Sequence, residues 1–352
     1  MEKNQLVEKL GVNYPIIQAP MAGGMTTSEL VAAVSNAGGL GNIGAGYMSA
    51  DAIREQIRDV KKLTDKPFGI NLFIAETPEV IDQEVETVFE YMKPLRDELN
   101  MQENVPKIDV ASKFEQQLQV LLDEGIAVCS FTFGLPPKEA VDQLKEQGTY
   151  VIGTATTVEE AIQVERLGLD AVVVQGSEAG GHRGNFLRST SESLVGLMSL
   201  VPQVADAVSI PVIAAGGIMD GRGVSAALCL GAKGAQLGTA FLTCKESGAK
   251  PVHKQAILEA EEVEPVLTTA FSGKHARGIQ NRFITYMEDF AGNVPPYPIQ
   301  NTLTKGIRKE SGSQSNKEYM SLWSGQSPRL AKDVTASELI AEIMKEVEKI
   351  IK

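Results

Sequence analysis

Short apolar runs alternate with amphipathic, helix-length stretches through the first 240 or so residues of the chain. The clearest run is Ala171, Val172, Val173 and Val174, uninterrupted by any polar residue. A short β-branched run of this kind reads as a strand covered on both faces. Similar runs occur at residues 12–19 (VNYPIIQA), 40–45, 68–73 (FGINLF), 127–133, 150–155, 211–215 (PVIAA) and 235–238. Most are separated by segments with helical spacing, such as Leu30, Val31, Val34 and Ala37, or Ile53, Ile57 and Val60. Helices are also predicted over 138–147, from Thr156 to Leu167 with Gly168 closing it, over 193–207 and over 220–230. Thr26 with Glu29 and Thr156 with Glu159 have capping-box spacing. Strands separated by crossover-length helices pair in parallel. Eight such units in this length predict a closed TIM (β/α)8 barrel. A doubly wound open sheet is the alternative. It would want G-x-G-x-x-G after its first strand, and PMAGGM is not that motif.

Two stretches depart from this rhythm. Residues 74–125 are polar, with Val80, Val85, Val88, Met92 and Leu95 at helical spacing, and read as a helical insertion after the third strand. Beyond Leu242 the alternation stops. A helix is predicted over 252–262, β-branched residues cluster near Thr268, and a helix is predicted from about Gly278. Pro295, Pro296, Tyr297 and Pro298 read as a turn or lid-like piece, and 305–330 as loop-rich. Thr335 with Glu338 opens a final amphipathic helix carrying Leu339, Ile340, Ile343, Met344, Val347 and Ile350. The expected organisation is a barrel over 1–245, a smaller α/β or helical substrate or lid domain over 246–330, and a helix over 331–352 docked back on the barrel.

Composition narrows the function classes. The 352 residues are 43% hydrophobic, enough for a sizeable core. A net charge of −12 disfavours a nucleic-acid partner, which needs clustered Lys and Arg. No run has transmembrane length and the first residues lack an apolar signal core, so a cytoplasmic protein without membrane partners is expected. Cys129, Cys229 and Cys244 are widely spaced and read as core thiols. With only His182, His253 and His275 in the chain, no metal site is expected.

The candidate chemistry gathers at strand ends. The run at 171–174 passes at once into Gln175-Gly176-Ser177-Glu178-Ala179-Gly180-Gly181-His182-Arg183-Gly184. This places an imidazole on a Gly-rich loop at the carboxyl end of a buried strand, where α/β proteins carry their chemistry. The last two predicted strands end in Gly216-Gly217 and Gly238-Thr239. Backbone N–H groups there can cradle a phosphate without a lysine. A phosphate site beside a flat pocket suggests flavin mononucleotide (FMN). Ala19, Met21, Ala22 and Gly23 are placed to underlie a ring face, and the amides of Asn71, Gln175 and Gln236 to bond its edge. Arg183 reads equally as an attractor of anions or a solvent-facing charge. His275, with Lys274 and Arg277, reads as a solvated basic loop, and His253 as a surface residue. Tyr297 and Lys305 read as lid groups or as plain surface.

Together, PIIQAPMAGG, GINLF, GTATTVEEA, QGSEAGGHRG, PVIAAGGIMDGRG and GAQLGTAFL resemble the FMN-dependent nitronate monooxygenases, formerly called 2-nitropropane dioxygenases. The resemblance covers essentially the whole chain, and GGHRG is similar to the class I members. It implies FMN contacts at Asn71, Gln175, Gly180, Gly217, Gln236, Leu237, Gly238 and Thr239, with Met21, Ala22 and Gly181 in matching loops, and His182 as the active-site histidine. It implies oxidation of alkyl nitronates, such as propionate 3-nitronate, with O2 through a flavin semiquinone to a carbonyl compound and nitrite. His182 would then bond the nitronate oxygens or remove an α-proton from a neutral nitroalkane. The related FMN-dependent enoyl-acyl-carrier-protein reductases share the Gly-Gly-His loop, usually with an aliphatic residue after the histidine, where Arg183 stands here. A non-catalytic flavin- or phosphate-binding barrel is a third reading, and assembly into a homo-oligomer is left open.

Overall fold

The computed structural model describes residues 4–74, 76–102 and 104–351. Eight parallel strands build its inner wall: β1 (Ile16–Gln18), β2 (Gly41–Gly44), β3 (Phe68–Phe73), β4 (Val128–Thr132), β5 (Tyr150–Ala155) and β6 (Ala171–Gln175), then β8 (Val212–Ala215) and β9 (Gly234–Leu237). The two-residue β7 (Gly181–His182) lies outside that wall. The order runs β2-β3-β4-β5-β6-β8-β9-β1. Ring closure comes from a bridge between Ile17 and Leu40, where Leu40 N donates to Ile16 O and Gln18 N to Leu40 O, each at 2.9 Å. The fold is the (β/α)8 barrel that the strand–helix rhythm predicts.

Alternation along each strand decides what faces inward. In β6, Val172 and Val174 join the core under the outer helices, whereas Ala171 and Val173 fill the barrel interior with Ile17, Val128, Ile152 and Ile213. The same period carries Gln175 inward at the top of β6. The helix Gln5–Leu10, capped by Asn4, plugs the opposite end with Leu6 and Leu10. The interior is therefore packed from below and open only at the carboxyl ends of the strands.

Several local expectations are corrected. Of the segment 74–125, only the helices Asp82–Tyr91 and Lys93–Glu98 leave the barrel. The helix Phe114–Glu124 is the barrel's own crossover between β3 and β4, its Leu118 and Leu121 sharing a core with Ile53 and Ile57. Both early caps fall one residue later, at Thr27 and Thr157. Thr26 instead takes the Gly44 N–H at 2.9 Å, and Thr156 bonds the buried Glu160 carboxylate. Gly278 sits in a strand rather than a helix: β10 (Pro265–Thr268) pairs with β11 (Ala276–Ile279), and β11 with β7, all antiparallel. The expected loop after 305 begins as the second half of a 15-residue helix, Ile299–Ser313. Cys229 is exposed, while Cys129 and Cys244 are buried.

A second core joins the segment after β3 to the C-terminal third. Val85, Val88, Phe89 and Leu95 pack with Phe271, Phe283, Leu303 and Ile307. Tyr91 and Tyr286 each donate a hydroxyl to the other's carbonyl, at 3.1 and 2.9 Å. Among the described residues no helix is long and apolar enough to cross a membrane.

The last helix, Ala336–Ile350, opens with the expected capping box at Thr335 and Glu338. It buries Leu339, Ile340, Ile343 and Val347 against the same outer core as Val31 and Val224. Ile343 is 1% exposed. Its truncation, Ile343→Ala, is expected to destabilise the protein by about 2–5 kcal/mol in urea unfolding. Glu348→Ala, on the exposed side, should change stability by less than about 0.5 kcal/mol.

Candidate active site

The strand ends open into one cavity of about 980 Å3. Period-2 alternation brings three amides inward: Asn71 on β3, Gln175 on β6 and Gln236 on β9, all lining the cavity. Leu237 faces the other way, into the core beneath the helices, so its side chain does not reach the cavity. Met21, Ala22, Gly180, Gly181, Gly217, Gly238 and Thr239 all line it.

The amides are not equivalent. Asn71 donates its NH2 to Ser130 Oγ (2.9 Å) and Thr132 Oγ1 (3.1 Å), which leaves its carbonyl oxygen as the free end. Gln175 is largely committed to the loop it starts: Nε2 donates to His182 O at 3.1 Å, and Oε1 accepts from Gly184 N at 2.8 Å. On the loops after β6 and β8, the N–H groups of Gly180 and Gly217 have no acceptor among the described residues. Gly217 holds φ at 66°, a conformation that a side chain would strain. Thr239 Oγ1 accepts from Gly325 N at 2.9 Å, leaving its own proton to donate. These donors form a cradle for an anionic group.

Arg183 is neither a substrate attractor nor solvent-facing. It is 0% exposed, and its guanidinium donates to three carbonyls: Gly176 (2.5 Å), Gln175 (3.3 Å) and Ser193 (3.0 Å). The side chain thus ties the two arms of the 175–184 loop together. Glu160, also fully buried, accepts the N–H groups of Phe186 and Leu187 at 2.6 and 2.9 Å and fixes the loop's exit.

His182 is held between these anchors and β11, where Arg183 N donates to His275 O at 2.9 Å. Its ring lies edge-on to Phe133, Tyr297 and Trp323, with centroids 5.8, 5.9 and 5.4 Å away. Its Nε2 is 2.8 Å from Ser272 Oγ. With that hydroxyl assigned as the donor to Lys274 O at 3.0 Å, Nε2 carries the proton and donates. Nδ1 is left as a lone pair with no partner among the described residues. Burial, followed by the nearby Lys274 and Arg308 charges, holds the His182 pKa down to about 3, so the ring is neutral at pH 7.

The remaining residues separate clearly. His275 is exposed, as expected, but Arg277 is buried and donates to Ser177 O and Pro265 O. Tyr297 and Lys305 both line the cavity. His253 is 1% exposed rather than on the surface; its Nε2 donates to Trp323 O at 3.1 Å. Trp323, Ser272, Phe133, Tyr47 and Arg308 escaped the sequence reading. Tyr47 and Phe133 follow the ends of β2 and β4, where strand-end position was the available signal, whereas Ser272, Arg308 and Trp323 come from the C-terminal third, outside the strand–helix rhythm.

The fold and the cavity are those of a (β/α)8-barrel enzyme with its chemistry at the carboxyl ends of the strands. The profile of the nitronate monooxygenase family matches residues 3–346, and the chain belongs to that family. A relative from Staphylococcus haemolyticus, described as a probable nitronate monooxygenase, is 50% identical over 99% of this chain and 98% of its own length. One from Staphylococcus aureus with the same description is 48% identical over the same shares. Among solved structures, nitroalkane oxidase from Streptomyces ansochromogenes superposes with a TM-score of 0.90 at 40% identity, covering 96% of both chains. FabK from Thermotoga maritima gives 0.78 at 32% identity, covering 100% of this chain and 98% of that one.

The buried histidines make stability pH-dependent. Burial depresses the His253 pKa from 6.5 to about 4. Its contribution is therefore complete above pH 6.5 and is lost as the pH falls through that window, where the unfolded chain binds the proton first. Relative to His253→Gln, the wild type should lose about 2 kcal/mol more stability between pH 7 and pH 5, measured by urea unfolding at both pH values.

Proposed function

We propose that the protein is an FMN-dependent nitronate monooxygenase that oxidises alkyl nitronates with O2 to a carbonyl compound and nitrite. The observation that carries this reading is a cavity with an anion cradle on one wall and a neutral, desolvated imidazole on another. The residues fit FMN. Gly180, Gly217 and Thr239 offer unpaired donors to a phosphate, and Asn71 keeps an acceptor free toward the cavity. Gly238 has open space in front of it, with only Ala19 Cβ within 4 Å of an added Cβ. Gln236, Met21 and Ala22 line the same cavity, whose volume is about 980 Å3. Bound FMN supplies the electron-transfer chemistry.

The chain's own residues bind, orient and exclude water. Phe133, Tyr297 and Trp323 wall off His182, so polar interactions there act in a low dielectric. Because Nε2 is committed to Ser272, the atom His182 offers is the Nδ1 lone pair. Such an atom accepts a proton and does not donate to nitronate oxygens. With this tautomer the ring can take a proton from a neutral nitroalkane, although burial that holds its pKa at about 3 makes it a weak base. Substrate held as the nitronate needs no such step.

Purified protein should contain FMN, released on denaturation and identified by mass. It should consume O2 and release nitrite from propionate 3-nitronate without NADH. Consumption of NAD(P)H with a crotonyl thioester, and no nitrite, would assign it instead to the enoyl reductases; bound flavin with neither activity would leave a binding barrel. His182→Ala should lower turnover of a neutral nitroalkane by about 10²–10⁴-fold, and that of the preformed nitronate by less. Equal turnover of the neutral nitroalkane by variant and wild type would refute the base role.

A further inference from the structure

The proposed substrate is an anion, yet the imidazole beside it is neutral and presents a lone pair. The cavity must meet the negative charge elsewhere. The helix Ile299–Ser313 forms one of its walls. Leu303 and Ile307 point into the second core, while Asn301, Thr302, Lys305, Arg308 and Lys309 line the cavity. This is the i, i+4, i+7, i+8 spacing of a single helical face.

Arg308 differs from the lysines beside it. Lys305 and Lys309 are exposed, whereas Arg308 is partly buried. Its Nη2 donates to Asn301 O and Oδ1, both at 2.8 Å, and its Nε to Thr304 O at 3.4 Å. These bonds clamp the guanidinium in place. No acceptor among the described residues takes Nη1, and no carboxylate lies within ion-pair distance. Glu76 and Asp109 also line the cavity, but both are exposed and neither pairs with it. A clamped, partly buried guanidinium with its Nη1 hydrogens free and without a counter-ion is placed to receive an anion's oxygens. Its charge is also felt at His182 and Tyr47, which places all three around the same part of the cavity.

We propose that Arg308 is the anion-binding residue of this site, holding a planar two-oxygen group of the substrate: the nitronate head or a distal carboxylate. This rests on the nitronate reading for the identity of the substrate, though not for the existence of the site. Trp323 is the chain's single tryptophan and lies edge-on to His182, so its emission reports on this cavity alone.

Nitrate, a planar oxyanion, is the binding probe. Titrated into the holoprotein, it should change Trp323 emission saturably. Arg308→Gln should weaken that affinity at least about ten-fold, and Arg308→Lys, which keeps the charge but not the clamp on Asn301 and Thr304, should fall between. FMN content and helical circular dichroism should match the wild type in both variants. In turnover, KM is compared for ethyl nitronate, which carries one charge, and propionate 3-nitronate, which carries two. A rise for both places the nitronate on Arg308; a rise for the dianion alone places the carboxylate there. Absence of saturable nitrate binding to the wild type, or unchanged nitrate affinity and unchanged KM in Arg308→Gln, would overturn the proposal. If nitronates prove not to be turned over at all, the nitrate titration still decides whether the site exists.

Discussion

The site depends on one buried cation. Arg183 is surrounded by protein, and its two terminal guanidinium nitrogens donate to the carbonyls of Gln175, Gly176 and Ser193 rather than to a carboxylate, while Nε has no partner among the described residues. A buried carbonyl left without a donor costs about 1–3 kcal/mol. The guanidinium supplies donors to carbonyls on both arms of the loop and ties the arms together. Glu160 does the converse a few residues on, accepting N–H groups of Phe186 and Leu187. Between the two anchors, His182 is left with little freedom. The ring stays within hydrogen-bond reach of Ser272 because its backbone is not free to move away.

Much of this was legible in the sequence, and the reason is periodicity. Strands buried on both faces announce themselves as unbroken apolar runs, so all eight barrel strands could be placed within a few residues. Period-2 counting from those runs also brings Asn71, Gln175 and Gln236 inward. What sequence could not supply was the third dimension of single charges. Arg183 follows a histidine in a polar stretch, and its burial is created by Ser193, ten residues away, folding back over it. His253 sits beside Lys254 and looks exposed until the carbonyl of Trp323, seventy residues on, is brought against it. The helix Phe114–Glu124 was masked by its polar neighbours, although Phe114, Leu118 and Leu121 have the right spacing.

Overall charge and local charge point in opposite directions here. The chain carries −12, yet one face of the helix Ile299–Ser313 brings Lys305, Arg308 and Lys309 to a single cavity. Long-range repulsion of anions by the acidic surface fades within about 8 Å at physiological ionic strength. A partly buried guanidinium inside the cavity is screened far less. Such a protein discriminates by short-range geometry rather than by attraction from a distance.

The second core has a consequence for how the molecule comes into being. Tyr91 and Tyr286, 195 positions apart, exchange hydroxyl–carbonyl bonds across it. On a ribosome, the barrel staves and the cradle glycines emerge long before Tyr297, Arg308 and Trp323. The growing chain thus has a floor for some time without a ceiling. The helices that follow β3 wait with an uncovered apolar flank until their partners are synthesised, and the chamber is sealed only as the last third of the polypeptide arrives.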